Sequence, residues 1–315
     1  MIKQITLDTL DDLTDLIDSF LQYLKEERGT SPFPLKEQLK ELLSEKARVI
    51  FALYNQDNQA LGFIITSPSE GRIASIYVQK SGKDEDDLET ATYEKKLFDA
   101  AFTHLKADCS NIRIFAAQFS DELTNYVIKN GFQDFKRARM SIDRESIVSL
   151  TEPDLSAEYK FVSWNTDMIP IIVELMARYH FNGGQHPDAD VFSQFAGIEG
   201  ANQLLEGIKT NKYGQFKEDH TIVVKHNEKC IGVNFMTIFP EFGYIPEIIL
   251  SPEYRGKGLG KALLIHSLKQ FIKKEPEMSR VELDVTLKNI PAAKVYKSLG
   301  FQEINQYSVF VWKKE

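Results

Sequence analysis

The sequence predicts an α/β fold present in two consecutive copies, and three observations carry that prediction. Strand-like apolar runs alternate with amphipathic helical runs along the whole chain. The order of those runs in the first half recurs in the second. Their spacing also agrees: Gly62 to Gly131 is 69 positions, and Gly232 to Gly300 is 68. With 315 residues, the chain is long for a single core, and two domains of roughly 150 residues each are the natural division.

Each half opens with a strand and an amphipathic helix. Leu10, Leu13, Ile17, Leu21 and Leu24 recur at helical spacing, as do Ile169, Ile172, Val173, Met176 and Tyr179. A hairpin follows, in which residues 49–53 and 61–65 flank the polar turn Asn55-Gln56-Asp57-Asn58. Its counterpart places residues 222–224 and 231–233 about His226-Asn227-Glu228-Lys229. Strands at 73–78 and 245–250 lead into long helices, and then into strands at 112–115 and 281–285. A short helix closes each half in Gly-Phe, with Tyr126 ahead of Gly131-Phe132 and Tyr296 ahead of Gly300-Phe301. Matching spacing across several elements indicates an internal duplication. The polar stretch 144–157, with Pro153, reads as a linker between domains 1–143 and 158–315.

Charge separates the halves. Residues 1–157 carry 19 Lys+Arg against 27 Asp+Glu, a net of −8, whereas residues 158–315 carry 19 of each. The acidic half argues against a nucleic-acid partner. No run approaches the ~18 apolar residues of a membrane span, and the first residues lack a secretory signal, so no membrane partner and a cytoplasmic location are expected. Cys109 and Cys230 have no metal-ligand spacing and sit beside apolar residues, so both read as core thiols, and no metal is expected.

One loop carries chemistry. After the strand 245–250 come Ser251-Pro252-Glu253-Tyr254 and then Arg255-Gly256-Lys257-Gly258-Leu259-Gly260-Lys261, followed by a helix bearing Leu263, Leu264, Leu268 and Phe271. A strand, a glycine loop and a helix together aim backbone N–H groups and the positive helix end at an anion. The glycines admit close approach, and Arg255, Lys257 and Lys261 add positive charge. A P-loop is excluded because Gly256 and Gly260 enclose three residues rather than four, and Ala262 follows the lysine. The pattern G-x-G-x-G is not the dinucleotide fingerprint either.

Arg255, Gly258 and Gly260 match Arg/Gln-x-x-Gly-x-Gly/Ala, and this loop resembles the pyrophosphate loop of the GNAT superfamily of N-acetyltransferases. Asn289, Ala292, Tyr296 and Gly300-Phe301 resemble that superfamily's N-x-x-A-x-x-x-Y-x-x-x-G-F closing helix. The detailed likeness covers about 220–315, and the layout extends it to 158–315. The resemblance implies two tandem α/β domains, each a mixed, mostly antiparallel twisted sheet flanked by helices.

It also implies site residues. The backbone of Ile248, Ile249 and Leu250 would meet the pantetheine arm of acetyl-CoA, and Arg255, Gly256, Lys257, Gly258, Leu259, Gly260 and Lys261 would hold its pyrophosphate. Asn289 would sit near the arm; its other reading is a helix N-cap ahead of Pro291. Tyr296 would protonate the leaving thiolate, and Glu247 is the candidate base, with His180, His186 and His220 as rivals. No activated nucleophile is recognisable, so direct transfer to an amine in a ternary complex is expected. The alternative is a non-catalytic acyl-CoA-binding sensor or scaffold module. The first half lacks the loop and carries Lys83-Asp84-Glu85-Asp86-Asp87-Leu88-Glu89 in its place, which implies a degenerate copy that does not bind CoA. The residues of 178–218 suit a cationic amine with apolar parts. A small metabolite, an amine-bearing antibiotic and a peptide N-terminus all fit, and a homodimer is compatible with the sequence.

Overall fold

Period-two apolar patterning builds the strands, and the computed structural model, which describes residues 1–28, 35–79, 88–116, 119–179 and 188–314, folds them into two compact units. In chain order the first half gives β1 (Ile2–Ile5), α1 (Thr14–Arg28), α2 (Leu35–Ser44), β2 (Val49–Tyr54), β3 (Ala60–Ser67), β4 (Arg72–Val78), α3 (Leu88–Asp108), β5 (Asn111–Ala116), α4 (Asp121–Lys129) and β6 (Gln133–Asp143). Next come α5 (Arg144–Ser149), β7 (Tyr159–Ser163), α6 (Ile169–Tyr179), α7 (Gly197–Lys209), β8 (Gln215–Phe216), β9 (Ile222–His226) and β10 (Lys229–Ile238). The chain ends with β11 (Gly243–Leu250), α8 (Leu259–Lys274), β12 (Arg280–Thr286), α9 (Ile290–Ser298) and β13 (Gln302–Lys313). None of the described helices is long and apolar enough to cross a membrane.

One unit comprises residues 1–135 and 308–315 and the other residues 136–307. Strand order in the first is β1-β2-β3-β4-β5-β13, and in the second β6-β12-β11-β10-β9-β7 with β8 beside β10. Within each unit one pair is parallel, β4 with β5 or β11 with β12, and the remaining pairs are antiparallel. Both sheets are mixed and mostly antiparallel, as the family resemblance implies.

The duplication holds residue by residue. Gly62 pairs with Val78 and Phe63 with Tyr77 in the first unit, while Gly232 pairs with Leu250 and Val233 with Ile249 in the second. Both glycines are forced by crowding, because a Cβ would lie 2.7 Å from the Tyr77 carbonyl oxygen at Gly62 and 2.8 Å from that of Ile249 at Gly232.

The closing strands depart from the linear division expected at 144–157. β6, which ends the first half, pairs with β12 from Arg280↔Asp143 to Thr286↔Arg137, and β13, which ends the second, pairs with β5 from Ser308↔Ala116 to Lys313↔Asn111. Each half thus hands its last strand to the other unit. The stretch read as a linker opens with α5, capped by the Asp143 carboxylate accepting from the Ser146 N–H at 2.7 Å, and Ile147 on it is fully buried. Ala138, Met140 and Ile142 of β6 share one face and join the core of α8 and β12 with Leu264, Leu268, Phe271 and Leu283. The other core is aromatic, with Phe98, Phe102, Phe132, Phe310 and Trp312 buried together.

Candidate functional site

The site is organised by β11. Its parallel pairing to β12 covers only Gly243↔Val281, Tyr244↔Glu282 and Ile245↔Leu283, after which both strands run on unpaired to each other, to Leu250 and Thr286. They therefore diverge as a V. Pro246 stands immediately past the last pair and has no N–H to extend the ladder. A register shift between Phe235 and Thr237 on β10 marks the same point.

The alternation of backbone direction along β11 assigns its groups. Ser251 donates its N–H to the Ile231 carbonyl at 2.8 Å, so Ile249, two residues earlier, also faces β10. Ile248 and Leu250 then aim their N–H and C=O groups into the V. The Arg255 Nε donates to the Leu250 carbonyl at 3.2 Å, which fits that orientation. Of the three residues expected to meet a pantetheine arm, two present backbone to the opening and Ile249 presents its side chain to the core beneath α6 and α7.

At the end of β11 the glycine loop turns into α8. Gly256 and Gly258 have φ of +76° and +79°, a left-handed conformation that glycine accepts without penalty, and a Cβ at either would meet nothing within 4 Å. Gly258 is the N-cap of α8 and no side chain caps that end. Arg255, Lys257 and Lys261 are exposed around it, whereas Leu259 is buried and anchors the first turn. The Lys257 ammonium lies 5.3 Å from the Tyr254 ring centre. An open concavity of N–H groups, helix dipole and cations is the chemistry a pyrophosphate needs, and the residues present fit one.

Both predicted catalytic residues are buried. Glu247 pairs with Phe235, which places it on the sheet face covered by α6 and α7, and it is buried at 6% exposure. Tyr296 of α9 is buried at 9% exposure, with its ring 5.8 Å from that of Phe301. Burial, then the charges of Glu247 and Asp188, raise the phenol above its ordinary pKa, and Arg137 opposes them. A phenol held neutral is a proton donor, not a base.

The other predicted residues divide. Asn289 caps α9, its Oδ1 accepting from the Ala292 N–H at 3.3 Å. His220 is buried at the far end of α8 from the loop, with Nε2 3.2 Å from Glu275 and its ring against Phe271, and burial lowers its pKa. His180, His186 and most of the acidic segment 83–89 lie outside the described residues. Cys230 is buried and Cys109 half-buried, and burial pushes both thiols up.

Sequence reasoning passed over Arg137, which is buried against Asp188 and Thr286. It comes from β6, and nothing in a local pattern tells which unit an alternating strand will join. It also passed over Pro246, which a strand interior rarely accommodates and which could have marked the opening.

Residues 174–301 match the acetyltransferase (GNAT) family model. The chain is 31% identical over 108 residues to a protein of Bacillus subtilis (strain 168) that bears the name of a ribosomal protein bS18-alanine N-acetyltransferase; the match covers 33% of this chain and 70% of that one. It is 37% identical over 75 residues to the mycothiol acetyltransferase of Corynebacterium aurimucosum (strain ATCC 700975 / DSM 44827 / CIP 107346 / CN-1), 24% of this chain and 23% of the other. A tandem GNAT protein from the clavulanic acid biosynthesis pathway superposes over 99% of this chain and 98% of its own with a TM-score of 0.63 at 12% identity, a likeness of fold.

Proposed function

Because the chain belongs to the GNAT acetyltransferase family, we propose that the unit spanning 136–307 transfers an acetyl group from acetyl-CoA to an amine acceptor by direct transfer in a ternary complex. The observation that carries this reading is the arrangement along β11. The glycine loop lies at its end, open backbone groups lie along its unpaired edge, and Glu247 is buried two residues past the last pair with β12.

Arg255, Lys257, Lys261 and the N–H groups from Gly256 to Gly260 would hold the pyrophosphate, and the backbone of Ile248 and Leu250 would pair with the pantetheine amides. When bound, acetyl-CoA supplies a thioester carbonyl. An amine with a pKa near ~10 arrives protonated, and Glu247 accepts its proton, directly or through one water. The neutral amine would attack the thioester carbonyl, Tyr296 would donate its phenolic proton to the departing sulfur as the C–S bond breaks, and the acylated nitrogen would return its second proton to the phenolate. The raised pKa of Tyr296 keeps the phenolic proton in place throughout the neutral range. Asn289, by capping α9, fixes the helix that carries Tyr296.

No observation favours the non-catalytic reading. Calorimetry with acetyl-CoA, followed by a screen of amines for release of free CoA thiol, tests both. Binding with turnover of at least one amine is expected, and tight binding without turnover would establish a sensor or scaffold instead.

A further inference from the structure

Arg137 is a charge buried deeply enough to need an explanation. Its side chain retains 8% exposure, and its planar group is fully engaged. Nη1 donates to the Asp188 Oδ1 at 3.0 Å and to the Thr286 hydroxyl at 2.8 Å, Nε donates to the Tyr307 hydroxyl at 3.2 Å, and Nη2 donates to the Asp284 carbonyl at 3.3 Å. The Phe192 ring lies 4.8 Å from the guanidinium carbon. Desolvating a guanidinium is costly unless each donor is met, and here each nitrogen has an acceptor.

The partner that matters is Asp188. Thr286, the last residue of β12 and the register partner of Arg137, donates its hydroxyl to the same Asp188 oxygen. That carboxylate is thus clamped from two sides at the end of the strand that forms one wall of the V. Its charge reaches the Tyr296 hydroxyl together with that of Glu247. Asp188, held at the end of β12, and Glu247, on β11, thus set carboxylates on the two walls of the V.

We propose that Arg137 is a positioning residue for the acceptor: its guanidinium, anchored through Nε and Nη2 on Tyr307 and Asp284, holds the Asp188 carboxylate through Nη1 against Thr286 so that Asp188 and Glu247 together receive a cationic amine. The proposal rests on the acetyl-transfer reading and assigns the strand that closes the first half a part in the acceptor end of the site.

The test uses the full chain with a fixed panel: a polyamine, an amino sugar and a peptide with a free N-terminus. Arg137→Lys keeps the charge and removes the fork. Asp188→Asn removes the carboxylate, and the double variant Arg137→Met/Asp188→Asn leaves no unpaired charge behind if Arg137→Met alone fails to fold. Arg137→Lys and Asp188→Asn are expected to raise the KM for the best panel amine about 10-fold, with kcat within about threefold and acetyl-CoA affinity by calorimetry within about twofold. The double variant should be no worse than Asp188→Asn alone, because Arg137 acts through Asp188. An amine KM unchanged in Arg137→Lys overturns the proposal and leaves acetyl transfer intact. Equal loss in acetyl-CoA affinity, kcat and melting temperature also overturns it, because a structural staple behaves so. Wild-type chain that binds acetyl-CoA and acetylates nothing in the panel overturns both readings.

Discussion

The two units open the same V and furnish it differently. In the first, β4 pairs with β5 only at Arg72↔Arg113 and Ile73↔Ile114, then runs on to Val78. In the second, β11 leaves β12 after Ile245. Setting Ile73 against Ile245 aligns the rest, with Ala74 at Pro246, Ser75 at Glu247, Tyr77 at Ile249 and Val78 at Leu250. The first V opens without a proline, so Pro246 reinforces a divergence that the sheet already has. The tyrosines also part company: the Tyr126 hydroxyl donates to the Asp99 carboxylate on α3 at 2.9 Å, whereas Tyr296 is buried with its ring near that of Phe301. Apolar patterning carries the shape through a duplication, and a few polar residues carry the chemistry.

The largest effect should come from separating the halves. A fragment of residues 158–315 loses β6, which supplies the seven-residue ladder along β12 and the buried Met140 and Ile142. At ~1.5–3 kcal/mol for each of those side chains, together with an unmated strand, the loss is comparable to the ~5–15 kcal/mol that holds a domain together. Its own β13 would meanwhile have no β5. The fragment should show no cooperative unfolding by circular dichroism. A sharp melt near that of the full chain would show the exchanged strands to be dispensable.

Within the intact chain, Tyr296→Phe should lower turnover by ~10²–10⁴ with acetyl-CoA affinity nearly constant, because one oxygen is removed and the packing kept. A loss of only a few-fold would mean that solvent protonates the sulfur. Gly258→Asp should weaken acetyl-CoA by roughly 10–100-fold, since it strains a left-handed position and sets a carboxylate against the pyrophosphate. Equal affinity in the folded variant would remove the loop from the site. Calorimetry on the wild type should also give one acetyl-CoA per chain, and a stoichiometry of two would overturn the inactive reading of the first unit.

The sequence made some of this legible for reasons that are local. The glycine loop, the cap at Asn289 and the hairpins depend on residues within a few positions of one another, and all form where spacing places them. Strand exchange was not legible, because Ala138, Met140 and Ile142 alternate identically whichever sheet they join. Arg137 followed it into obscurity: its value lies in Asp188, Thr286 and Tyr307, which are 51, 149 and 170 residues away. The first six residues of 144–157 looked like a linker because they are polar, yet Asp143 caps them into a helix.

The smallest effect sharpens the comparison most, because it is the matched control. Tyr126→Phe makes in the first unit the change that Tyr296→Phe makes in the second. Tyr126 is partly exposed and bonds only at the surface, so its removal should cost no more than about 1 kcal/mol, with turnover and acetyl-CoA affinity unchanged. The bond to Asp99 is the chief cause that raises the Tyr126 pKa above 10.0, followed by burial and the Asp99 charge. A raised acid is stabilised in its neutral form. The contribution is therefore fully present below pH ~10, the unfolded value, and is lost as pH rises through the folded one. The wild-type chain should thus lead Tyr126→Phe by a small, constant margin in melting temperature from neutral pH upward, closing only in strong alkali. A drop in turnover from Tyr126→Phe, with the melt unchanged, would instead place the first unit's tyrosine in the chemistry and end its reading as an inert copy.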